Sequence, residues 1–165
     1  MKRLLFITIL TTLLASCGFR PMYGADADSP GISQELALIE IGAIPDRLGQ
    51  KVRNELLDII TPMGEPSAPQ YRLLVRLEEE REDIGLRQDA SSTRASYRLQ
   101  AHFRLEEIAD DTVIIDGNSW ASTAFDIVKS DYSTLMAERA AQDRLARDIA
   151  LEVRNRLTVY FGRDR

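Results

Sequence analysis

Between Arg94 and Glu106 the chain alternates apolar and polar residues without a slip. Ala95, Tyr97, Leu99, Ala101, Phe103 and Leu105 fall on one side; Arg94, Arg98, Gln100, His102, Arg104 and Glu106 fall on the other. A period of two held over this length assigns each set to one face of an extended strand. Such a strand belongs in a sheet with one wetted face, and its apolar side must be covered by another layer. The rest of the chain has to supply both the neighbouring strands and the cover.

The neighbours are visible on either side. Tyr71, Leu73, Val75 and Leu77 alternate with Arg72, Leu74, Arg76 and Glu78, and a polar connection from about Asp83 to Ser92 leads into the second strand. Asp110-Asp111 marks a tight turn, after which Thr112 to about Phe125 reads as a further strand containing Gly117 and Trp120. Three strands with short links predict an antiparallel meander. The cover comes from two helices. Pro45 suits a first helical position, and Leu48, Val52, Leu56 and Ile59 follow at helical spacing until Pro62 and Gly64 stop the run. The second helix starts near Ser130-Asp131 or Ser133, with Ala137, Ala141, Leu145, Ile149, Val153, Leu157 and Phe161 every four residues. A short apolar strand, Leu36 to Ile41, precedes the first helix. Joined to the second strand through a helix, it predicts a right-handed crossover. The fold class is therefore α+β: a two-layer sandwich with a mixed four-stranded sheet in the order strand, helix, three-strand meander, long helix, and with both helices on one face.

The N-terminus carries a different signal. Lys2-Arg3 precede an apolar run from Leu4 to Leu14, which is far short of the roughly 20 residues a spanning helix needs. Leu14-Ala15-Ser16-Cys17 follows: leucine, two small residues, cysteine. This is the pattern of a bacterial lipoprotein signal. It predicts that residues 1–16 are removed, that Cys17 carries fatty acyl chains, and that residues 17–33 form a lipidated N-terminus and tether before a single domain at 34–165. Gly18, rather than an aspartate, follows the cysteine, and by analogy with the lipoprotein sorting rule this favours the outer membrane, facing the periplasm. Phe19, Arg20, Pro21 and Tyr23 form an aromatic-basic knot beside the anchor, a candidate for packing near the bilayer, against a partner or against the domain itself.

Composition narrows the chemistry. The formal charge is −5, and loss of Lys2 and Arg3 makes it −7, which argues against nucleic acid as a partner. Cys17 is the only cysteine, so neither disulfides nor a cysteine metal site can hold the fold. One histidine, His102, lies on the polar face of a strand, no nucleophile motif accompanies it, and no glycine-rich phosphate loop is present. The chain does not read as an enzyme, and no cofactor or metal is implied. The acidic run Glu78 to Asp83 reads as a solvated strand end opposite basic neighbours. The polar sheet face is more suggestive, because Arg72, Arg76, Arg94, Arg98 and Arg104 share it. Guanidinium groups crowded across strands repel, and phosphates or partner carboxylates would relieve them. Glu78, Glu80 and Glu106 have the same parity, so a solvated face of mixed charge is the competing reading.

Three segments together resemble a known family. Cys17-Gly18-Phe19-Arg20-Pro21-Met22-Tyr23-Gly24, the stretch from Arg47 to Leu56, and the ending from Asp148-Ile149 through Arg156-Leu157 to Tyr160-Phe161 are similar to the lipopolysaccharide-assembly lipoproteins of the LptE family. The resemblance implies a two-layer α/β domain anchored in the outer membrane and an obligate partner, the large outer-membrane β-barrel LptD, at about one to one. Members of the family sit as a plug inside that barrel, assist its assembly and bind lipopolysaccharide. The five arginines are not carried over from the family; they are candidates for barrel or lipopolysaccharide contact on the alternation alone. The rival reading is an auxiliary lipoprotein of a lipid-transport ABC system, which would associate with inner-membrane components instead.

Overall fold

The computed structural model describes residues 30–86 and 92–163. Seven elements follow one another: α1 (Pro30–Leu36), β1 (Ile39–Ile41), α2 (Asp46–Ile60), β2 (Tyr71–Leu86), β3 (Ser92–Glu107), β4 (Val113–Asp126) and α3 (Asp131–Phe161). The strands form one mixed sheet in the order β1-β2-β3-β4. β1 lies parallel to β2, as a connection through a helix requires, and the other two pairings are antiparallel. This is the α+β architecture predicted from the sequence, with one helix added.

The apolar face forms as the alternation demands. Leu73 on β2 faces Leu105 on β3, and Leu105 in turn faces Ile115 on β4. Ala95, Leu99, Ala101 and Leu105 are fully buried, and Phe103 and Tyr97 nearly so. Each such aliphatic side chain removed from water contributes roughly 1.5–3 kcal/mol before the entropy of ordering is set against it. The helices complete the core. Lys51 Nζ meets Asp143 at 2.5 Å and Arg147 Nε meets Glu55 at 3.7 Å. Both contacts advance four residues in the same direction, so α2 and α3 run parallel to each other over the sheet. Gly49 lies where α2 turns close over the preceding segment: a Cβ there would stand 2.9 Å from the Ile44 carbonyl oxygen.

The long helix shows why a stripe of every fourth residue cannot stay buried throughout. Four residues turn an α-helix about 40° beyond one revolution, so the row winds slowly round the rod. Ala141, Leu145, Ile149, Val153 and Leu157 are buried, whereas Ala137 and Phe161 at the two ends are only partly covered. Ala146 and Ala150 join the core from the adjacent row. Ser130 is the N-cap, its hydroxyl oxygen accepting from the Ser133 amide.

Several boundaries differ from the sequence reading. Pro30–Leu36, assigned to the tether up to Ser33 and to the start of a strand, is a helical turn pair. Ile32 and Leu36, one turn apart, bury against the core and stabilise it, a signal masked by the surrounding glycine, proline and serine. The first strand accordingly begins at Ile39, not Leu36. In α2 the buried position is Ile60, with Ile59 partly covered. The acidic run Glu78 to Asp83 does not end β2, which continues to Leu86 in register with β3. Residues 1–16, Cys17, and Phe19, Arg20, Pro21 and Tyr23, for which the sequence predicts a signal, a lipid anchor and a packing knot, lie outside the described residues.

Candidate interaction face

Both long helices cover one side of the sheet, which leaves the other side open. Register decides what stands there. Reading across the strands, one row holds Glu40, Arg72 and Glu106; the next Leu74, Arg104 and Asp116; then Arg76, His102 and Asn118; then Glu78, Gln100 and Trp120. Beyond them come Glu80, Arg98 and Ser122, and finally Ile84, Arg94 and Asp126 near the end of the hairpin. All five predicted arginines therefore share the open face.

They do not, however, stand directly opposite one another. Arg72 Nε lies 3.4 Å from Glu40. Arg104 makes two contacts to one oxygen of Asp116, at 3.0 and 2.9 Å, and a longer one to Glu106 at 3.9 Å. Arg98 reaches Glu80 at 3.5 Å and sits over the Trp120 ring, 5.9 Å from its centre. Arg94 faces Asp126 across the ladder and is engaged. The crowding expected from the sequence is thus relieved within the sheet, since opposite charges are paired across strands. These pairs are exposed, and each contributes about 0–1 kcal/mol.

Arg76 is the exception. Its cross-strand neighbour is His102, and among the described residues no carboxylate contacts it. His102 itself lies 3.8 Å from Glu78 and 3.3 Å from the Gln100 amide nitrogen. Beside Arg76 a shallow recess of about 370 Å³ opens between Leu74, His102, Arg104 and Asp116, with Ala43 at its rim. The arrangement offers one unneutralised guanidinium, a second held at a carboxylate and an adjoining apolar side chain. It can bind an anionic or acidic group; it has no nucleophile placed for chemistry. Among the described residues no cluster of acidic and histidine side chains is arranged to hold a metal.

Sequence reasoning did not single out Trp120. Two-thirds of its surface is exposed on the open face. Its signal was parity: Phe125 is buried, so an even-numbered neighbour on the same strand must point the other way. β4 is otherwise built of small residues, and its alternation is faint to the eye.

On the helix-covered side one polar cluster is notable. The Tyr97 hydroxyl donates to Glu79 and accepts from Gln142 Nε2 at 3.3 Å. Burial, reinforced by the Glu79 carboxylate, pushes this phenol up to about 12. Nearby, Arg81 reaches Glu138 at 3.7 Å and lies over Phe125. These residues brace the part of β2 that α2 does not reach.

The described residues define a two-layer α+β domain in which one face of a mixed four-stranded sheet is covered by helices and the other is open. Residues 34–157, more than half of the chain, match the model of the family LptE, described as lipopolysaccharide-assembly, and the chain belongs to that family. The family is one of non-catalytic assembly lipoproteins, with a role in lipopolysaccharide assembly. Solved structures share the fold. A crystal structure named as a lipoprotein of Caulobacter crescentus CB15 is 20% identical, with a TM-score of 0.69 over 81% of this chain and 98% of that one. A minor lipoprotein from Acinetobacter baumannii is 14% identical, with a TM-score of 0.55 over 73% and 90%. Uncharacterized lipoprotein B from Nitrosomonas europaea, solved in solution, is 9% identical, with a TM-score of 0.56 over 76% and 83%. No curated protein matches the sequence.

Proposed function

We propose that this protein is a lipid-anchored outer-membrane component that faces the periplasm, plugs an LptD-type β-barrel and assists its assembly, thereby supporting lipopolysaccharide transport to the outer leaflet. The family match over residues 34–157 carries the proposal. The length of the last helix supports it: its 31 residues span roughly 45 Å, which suits a wide lumen. Acyl chains on Cys17 would hold it at the bilayer, at about 0.8 kcal/mol per buried methylene. Among the described residues no helix is long and apolar enough to cross a membrane.

Within this reading the open face is the contact for the barrel wall or for lipopolysaccharide phosphates. Arg76 is its leading residue, because the sheet leaves it unneutralised while Arg72, Arg98 and Arg104 are paired. Affinity purification in mild detergent of a C-terminally tagged copy from outer membranes tests the function. One large barrel protein at near-equal amount is the expected result. Elution alone, or with inner-membrane transporter subunits, overturns it. Arg76→Glu should weaken retention of the barrel or of lipopolysaccharide without altering the fold by circular dichroism.

A further inference from the structure

Among the described residues the sheet has two open edges, and they are built differently. β1 covers β2 only from Tyr71 to Leu73, so β2 is open from Leu74 onward. That edge carries Arg76 and then the unbroken charged run from Glu78 to Asp83. Charge is one of the devices by which sheets keep their edges from pairing with other chains. β4 forms the opposite edge along all of Val113–Asp126. Its charges are confined to Asp116 and Asp126. From Gly117 to Phe125 it has no charged residue and no proline.

The same edge borders a groove. Between β4 and the last turns of α3 lies a cavity of about 330 Å³, with Phe103, Ile115, Gly117, Val159 and Tyr160 as its apolar lining and the charged Asp116, Glu152, Arg156 and Arg163 around them. Gly117 opens it: a Cβ at this position would sit 2.9 Å from the Phe103 ring, so only glycine lets that ring reach the edge. Val159 is half exposed on the far wall. Arg163 has no acidic partner among the described residues.

We infer that the β4 edge is a strand-addition site, which takes an extended segment of a partner polypeptide as a fifth strand. Backbone N–H and C=O groups supply the binding row, and a groove for alternate side chains supplies selectivity. The occupant presents an apolar or aromatic side chain to the groove and an acidic group to Arg163. A second copy of this chain fits poorly. Symmetric antiparallel pairing of the uncharged stretch centres on Ala121 and sets Asp116 against Asp126 of the copy at both ends. Like charges directly opposite destabilise a ladder, and each chain already carries −5. This inference rests on the proposed function in taking the barrel as the polypeptide that supplies the strand.

The test uses the full-length, membrane-anchored protein in cells, with a photoreactive phenylalanine placed in turn at Asn118, Trp120, Ser122 and Ala124. The expected result is adducts on one segment of the co-purifying barrel, with the attachment point moving two residues along that segment at each step. Adducts to a second copy, to lipid alone, or scattered without order overturn the inference. In parallel, Asn118→Lys combined with Ser122→Lys should reduce the barrel retained by roughly tenfold or more, with an unchanged circular dichroism spectrum. Unchanged retention also overturns it. Where the unmodified protein keeps its barrel but edge adducts are absent, only this inference falls. Where the unmodified protein keeps no barrel, the proposed function falls and takes the inference with it.

Discussion

The two faces of the sheet obey different rules. On the helix side of β3, side chains from Ala95 to Leu105 are buried, and their energy comes from exclusion of water. On the open side, the same strand carries arginines, His102 and Gln100, whose partners are set by which residue of the next strand stands opposite. One face is specified by residue type, the other by register. Burial makes a polar residue without a partner costly, and the hydroxyl of Ser119, buried on β4 with no hydrogen-bond partner among the described residues, carries that cost, while a solvated face accepts almost any arrangement of charge.

Three changes probe that contrast. Leu99→Ala on the buried face should destabilise the protein by about 2–5 kcal/mol, since the side chain is fully enclosed and leaves a cavity. Urea denaturation followed by circular dichroism measures it, and a loss below that seen for Leu74→Ala on the open face would break the comparison. Tyr97→Phe probes a titrating group that sits among the buried set. Its phenol is held above the ordinary value near 10, at about 12, so the folded state keeps its proton where the unfolded chain has lost it. The stability this represents is complete below pH 10 and is lost as pH rises through about 12. Tyr97→Phe should therefore flatten the alkaline fall in melting temperature between those two pH values; an equally steep fall would assign it to another group. The smallest effect is expected for Arg104→Ala, which removes an exposed pair with Asp116 and should cost about 1 kcal/mol or less, diminishing further in high salt.

The elements that were legible in the sequence are those whose pattern reports burial directly. The strand around Leu99 could be read because its alternation is strict, and the start of the long helix because a hydroxyl there answers a local need of the helix, although the choice between Ser130-Asp131 and Ser133 fell to Ser130 only in the structure. The small helix Pro30–Leu36 was not legible: it rests on two side chains, Ile32 and Leu36, whose burial depends on a core assembled from distant parts of the chain. Ala146 and Ala150 were hidden for a related reason, since alanine reads as neutral until a neighbouring surface makes it an interior residue. For the candidate face, parity alone placed Arg72, Arg76, Arg94, Arg98 and Arg104 together. Parity could not reveal that Arg104 is held by Asp116, that Arg98 rests over Trp120, or that Arg76 is left facing His102.

The sequence by itself determined the order of the four strands and the two long helices, the buried faces of β2 and β3, and a hydroxyl cap on the long helix. These follow from local periodicity and residue chemistry, which act within a few residues. Tertiary structure alone decided the register across β2, β3 and β4, the unneutralised Arg76, and the contrast between a charged edge and an uncharged one. These depend on which residues meet across the sheet, and that is fixed only when the whole core packs and a shift of one residue would turn every buried side chain out to water.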